Sequence, residues 1–128
     1  MEANEYQIGG KHYNERKYQH WDFVIDCELN YLDGCATKYV SRWKDKNGIE
    51  DLKKALHYIN KAEETFAPKV VINSSALDEF CKQHDKQEAD IIRMIADNLY
   101  NAASITISKL IADTLNEGEA TARYVDQD

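Results

Sequence analysis

Apolar residues recur along this chain with the three-to-four-residue rhythm of amphipathic helices. His20 to Glu28 is a short candidate, with Trp21, Val24, Ile25 and Cys27 as its apolar residues. Leu32, Cys35, Ala36, Tyr39, Val40 and Trp43 then recur at offsets of 3, 4, 7, 8 and 11, and Asn47-Gly48 supplies a C-terminal stop. A third helix follows at once. It carries Ile49, Leu52, Leu56, Ile59 and Phe66 on one stripe, with Glu50 and Asp51 at its start, where the helix dipole favours carboxylates. Two such helices joined by a glycine turn make a hairpin.

The only proline, Pro68, precedes the β-branched stretch VVIN, so one short extended segment is expected near residues 69–73. Pro68 is also the best internal boundary, dividing a helical domain with the basic hairpin, residues 1–66, from a C-terminal helical extension, residues 67–128. Ser75 with Asp78, and Asp85 with Glu88, have capping-box spacing. The pattern predicts a short helix from Ala76 to His84 and a long one from Lys86 towards Leu115, ended by Gly118, with a frayed tail after Glu119. Along the long helix Ile91, Ile95, Leu99, Ala102, Thr106 and Leu110 form one row, while Ile92, Met94, Ile107 and Ile111 widen the apolar surface. Such a helix is either the central helix of a monomer or a contact between copies, and a homo-oligomer through residues 86–115 is expected. The fold class expected is mainly α: a small helical domain with a central hairpin and a long C-terminal helix.

At 128 residues and 43% hydrophobic content the chain suits a single core. No run of 18 apolar residues occurs and the start, MEANEYQ, is acidic, so a cytosolic protein without membrane contact is expected. Three cysteines without CxxC spacing read as reduced, buried thiols, and the four histidines share no metal-ligand spacing. The net charge of −7 argues against extended nucleic acid as a partner, but the charge is unevenly placed. Residues 1–36 carry 3 positive and 7 negative side chains, residues 37–61 carry 7 and 3, and residues 62–128 carry 6 and 13.

The positive segment is the hairpin. Lys38, Arg42 and Lys46 step by four along the edge of the apolar stripe of the second helix, whereas Lys44 points away. Lys53, His57 and Lys61 repeat the step on the third helix, and Tyr39, Trp43 and Tyr58 offer stacking rings. Two basic rows bordering one groove would hold an anionic, aromatic ligand, with cations for phosphate and a ring for the base. The alternative is a solvated basic face paired with Asp45, Glu50 and Asp51. Lys11, His12 and Tyr13 form a further polar cluster beside Gly9-Gly10, where backbone amides could face an anion. It is no P-loop, since His12 stands where a Ser or Thr would bind magnesium. Asp22 with Asp26, and Glu50 and Asp51 with Glu63 and Glu64, are carboxylate clusters that could hold Mg²⁺ together with ligand phosphates, or simply be solvated helix faces.

With GGKHY at residues 9–13 and GCATKYVSRWKDKNGIEDLKKALHYI at 34–59, the chain resembles a phage-encoded family of small proteins, the SaV-like family. The resemblance covers residues 8–64 and is carried by His12, Tyr13, Gly34, Lys38, Tyr39, Arg42, Asn47, Gly48, Glu50, Asp51, Leu52, Lys54 and Tyr58. Cys35 stands where the family usually has asparagine. One family relative is similar to a nucleoside monophosphate kinase that lacks a Walker motif. The resemblance therefore implies a phage origin, a host-cytoplasm location and transfer of phosphate between nucleotides, with Mg²⁺ as cofactor if the protein is a kinase. Two other readings compete with the kinase. One is a non-catalytic oligomeric binder that sequesters nucleotide signals of host immunity, and the other a host-takeover module that binds protein.

Overall fold

Helical periodicity is realised throughout the residues described in the computed structural model, 18–65 and 73–126, with side chains as far as Gly118. Among them six helices form: α1 (His20–Asp26), α2 (Tyr31–Arg42), α3 (Ile49–Glu64), α4 (Ser74–Cys81), α5 (Lys86–Ala96) and α6 (Tyr100–Asp126), and no strand. Lys11, His12, Tyr13, Phe66 and residues 69–72 of the extended segment expected near 69–73 lie outside the described residues.

Local chemistry sets most of the boundaries. Asn30 caps α2 by accepting from the Asp33 amide at 2.8 Å, and Asp85 caps α5 by accepting from the Glu88 amide at 2.9 Å. For α4 the cap is Asn73, which accepts from the Ala76 amide at 3.1 Å, so Ser74 opens the helix and Ser75 does not cap it. Between α2 and α3 the chain passes through Gly48 at φ 61° and ψ −131°, a backbone state that side-chain-bearing residues avoid. Open space surrounds that glycine, so its requirement is conformational and not steric crowding.

The expected helix 86–115 is two helices. Asn98 adopts φ 64°, and the Leu99 amide donates to the Met94 carbonyl at 2.8 Å while the Asn98 amide donates to that of Ile95 at 3.1 Å. These two bonds are those of a Schellman motif, with asparagine in the left-handed position that glycine usually fills. Glu28, at φ 52°, closes α1 in the same way through Leu29 and Val24. Nor does Gly118 end α6, which runs on to Asp126.

One core draws on both sides of Pro68. Val40 from α2, Leu52 and Ile59 from α3, Ile91 and Ile95 from α5 and Ile107 from α6 are all fully buried. α2 packs on α3 and α5, α3 on α6, and α1 on α4, where Phe23 and Phe80 stack with ring centroids 4.3 Å apart. Along α6 the cover thins: Leu110 is buried, Ile111 and Thr114 are half-buried, and Leu115 is 49% exposed. Among the described residues no helix is long and apolar enough to cross a membrane.

Candidate functional site

The flank shared by α2 and α3 carries an unusual concentration of rings and cations. Tyr39 of α2 stacks on Tyr58 of α3, with centroids 5.8 Å apart and planes inclined by 13°. Around the Tyr39 ring, the Arg42 guanidinium carbon lies 4.7 Å from the centroid, Lys38 Nζ 4.9 Å and Lys54 Nζ 5.5 Å. Three cations on one ring repel each other. Each ring contact returns only about 0.5–1 kcal/mol at such a half-exposed site, which leaves the group favourable to an incoming anion. Their nearest carboxylates offset this unevenly: the exposed Glu50, with Oε1 3.9 Å from Lys54 Nζ, offsets little, whereas the buried Asp51, with Oδ2 3.5 Å from Arg42 Nε, offsets part of the Arg42 charge. Lys38 has no carboxylate partner among the described residues.

Arg42 is the most informative member. Its side chain is 23% exposed, yet Nε is buried and donates no hydrogen bond, with Asp51 Oδ2 3.5 Å away as an ion-pair partner. Among the described residues the rest of the guanidinium meets no acceptor either. Asp51 itself is fully buried and accepts from the Asn47 backbone amide at 3.2 Å and from Asn47 Nδ2 at 3.4 Å. Asp51 is the third residue of α3, so its carboxylate satisfies amide donors at the helix start while it faces the arginine.

A more exposed ring lies on the same face of α2, at the end away from the cations. Tyr39 and Tyr58 are already stacked on each other, whereas Tyr31 is 74% exposed and meets Tyr58 edge-on at 6.3 Å. Its phenol is held above the ordinary value first by a hydrogen bond with Cys35 and then by one with Tyr58. Tyr31 and Lys38 are seven residues apart on α2, about 10 Å along the axis, on nearly the same face. That span suits a ligand with a flat apolar end and an anionic end.

Of the residues singled out from sequence, Lys38, Tyr39 and Arg42 come together here. Trp43 does not join them: it is 9% exposed, and its Nε1 donates to Glu88 Oε2 at 2.9 Å, which ties the end of α2 to the start of α5. Lys46 leaves the row because α2 stops at Arg42 and the next six residues turn, so the four-residue step no longer applies. On α3 the facing row is Glu50, Lys54 and Tyr58, one residue along from the expected one. Lys53 and His57 are exposed, with only the His57 ring edge near Tyr58 at 6.4 Å. Lys44, expected to point away, bridges to Asp85 and lies 3.6 Å from Glu88 Oε2. Of the α3 carboxylates expected to cluster, Asp51 faces Arg42, Glu50 faces Lys54, and Glu64 lies 3.6 Å from Lys61.

Lys54 and Tyr31 are site residues that the sequence pattern did not single out. Lys54 was legible in the Glu50, Lys54, Tyr58 step of four, and Tyr31 in its spacing of four and eight from Cys35 and Tyr39. Elsewhere, an open groove of about 500 Å³ runs between Glu63 of α3 and residues Asn98–Ala102, and none of the cations lines it. Beside it Tyr100 donates to the fully buried Asp33 at 2.8 Å. Burial, followed by that bond, pushes the Tyr100 phenol well up, so the pair reads as a structural tie between the starts of α2 and α6.

A family model described as "Protein of unknown function (DUF3310)" matches residues 8–60. The matched stretch contains the whole ring and cation face, from Tyr31 to Tyr58, and stops before α4. No curated protein and no solved structure matches the chain.

Proposed function

We propose that the protein binds a nucleotide or a similar phosphate-bearing aromatic small molecule on the α2–α3 face. Lys38, Arg42 and Lys54 take the phosphate and Tyr31 carries the base. The observation that carries this reading is the Arg42 guanidinium, which meets no hydrogen-bond acceptor among the described residues and lies beside two further cations on the Tyr39 ring. A planar fork with free N–H groups pairs with phosphate oxygens two at a time. A phage origin, a host-cytoplasm location and kinship with nucleotide kinases belong to the same proposal and rest on the motif resemblance. The face itself supplies binding groups, with its two carboxylates turned to Arg42 and Lys54. Sequestration of a nucleotide signal is therefore favoured over turnover, which would draw its catalytic groups and Mg²⁺ from outside this face.

Calorimetric titration with nucleoside mono- and triphosphates, cyclic dinucleotides and inorganic phosphate tests the proposal, followed by chromatography of any bound nucleotide. Binding should be saturable and Arg42→Ala should weaken it by about tenfold or more, as expected for loss of charge-assisted hydrogen bonds. The ligand should return intact. Equal affinity in wild type and Arg42→Ala would remove this face from the function, and a chemically changed ligand would restore the kinase reading.

A further inference from the structure

Asp51 is buried, belongs to the helix following the turn, and turns its carboxylate towards the Arg42 guanidinium, which donates no hydrogen bond among the described residues. We propose that Asp51 is a positioning residue that holds Arg42 through its Nε side and so aims the outer end of the fork at the ligand phosphate. The inference rests on the nucleotide-binding reading and adds to it a residue that touches no ligand.

Three observations support it. The Asp51 carboxylate is fixed independently of Arg42, because the Asn47 backbone amide and side-chain amide both donate to it, at 3.2 and 3.4 Å. It is fully buried, so water does not compete for it, and the Arg42 Nε atom it faces is buried as well. The 3.5 Å separation places the charges close enough to orient the guanidinium without consuming a donor in a short bond. The Tyr39 ring supports the guanidinium at 4.7 Å, so ring and carboxylate together restrict where the fork can point. Pre-ordering of this kind raises affinity by removing the cost of immobilising a long side chain when the ligand arrives. The turn residues Asn47 and Gly48 thereby matter to binding: they fix the carboxylate that fixes the arginine.

A double-mutant cycle separates positioning from mere stabilisation. With ADP and inorganic phosphate as probes, Asp51→Asn should weaken binding by about fivefold to tenfold in the wild-type background. In the Arg42→Ala background it should weaken binding by less than about twofold, because the group it acts on is gone. Asp51→Glu, which keeps the charge, should recover part of the loss. Equal effects of Asp51→Asn in both backgrounds would overturn the inference while leaving the binding site standing. Failure of wild type to bind ADP, inorganic phosphate or any nucleotide of the calorimetric titration would instead remove the reading beneath it. If Asp51→Asn does not fold, the Arg42 Nε–H resonance in ¹⁵N-labelled wild-type protein decides the matter. A signal slowed in exchange before ligand is added supports pre-ordering, and one as fast as that of a free arginine contradicts it.

Discussion

Each residue on the α2–α3 face has a distinct physical task, and substitutions should separate the tasks. Tyr31 is exposed and packs only edge-on, so Tyr31→Ala should leave folding intact and lower affinity for a nucleotide by about fivefold to tenfold, the scale of one base stacked on a ring. Its affinity for inorganic phosphate should not change, since phosphate has nothing to stack; calorimetry with both ligands reads the difference. The cysteines make a second contrast. Burial pushes the Cys81 thiol up to about 11, and Cys27 is buried, while Cys35 is only half-buried beside Tyr31. Iodoacetamide at pH 8 should therefore label Cys35 first, and bound nucleotide should slow that labelling; mass spectrometry of the digested protein checks both. How far a residue's role is legible in sequence depends on how sharply its helix phase is fixed. Lys38 and Arg42 belong to the regular run of α2 and fall where the pattern places them. Trp43 lies one step past the helix end, where an offset of 11 cannot tell a core ring from a surface one. Lys53 and Lys54 are adjacent, and only the side on which α2 packs decides between them.

At the level of elements, the caps and turns hold the face in place. Gly48 occupies a backbone state closed to most residues, so Gly48→Ala should cost about 1–3 kcal/mol in denaturant unfolding although no atom stands in the methyl group's way. Asn98→Gly should be close to neutral and Asn98→Val should cost about 1–2 kcal/mol, because the break between α5 and α6 needs a left-handed residue. That break also explains why the sequence reads as one long helix. Neither glycine nor proline marks it, and the apolar row continues across it through Leu99. At the start of α5, burial pushes the Asp85 carboxyl up, but the Lys44 hydrogen bond and the Glu88 amide outweigh it and hold the group below its ordinary value. A carboxylate lowered in the folded state adds stability above its unfolded pKa of about 3.9, and this is lost as pH falls through the lower folded value. Unfolding followed from pH 6 down to pH 2 should show wild type losing stability faster than Asp85→Asn, whose cap persists without a charge.

The described residues form a helical body whose buried residues come from both the family-matched stretch and the part beyond it, so the face depends on α5 and α6 for support although it carries none of their residues. The cover over α6 ends near Leu110. Accordingly, Leu110→Ala should cost about 2–4 kcal/mol, whereas Leu115→Ala should cost less than about 1 kcal/mol in the same unfolding experiment. A large cost at Leu115 would show that another surface covers it in solution. The overall helical class follows directly from periodicity. The site does not, because it exists only where two helix flanks meet, and flank pairing is a property of packing. Binding on this face is tested most directly by titrating ¹⁵N-labelled protein with nucleotide and following it residue by residue by NMR. The largest shifts should fall on Tyr31, Lys38, Tyr39, Arg42, Lys54 and Tyr58, with little change along α4 and α5. Shifts centred on the groove at Glu63 and Asn98–Ala102, or none at saturating nucleotide, would contradict a nucleotide site between α2 and α3.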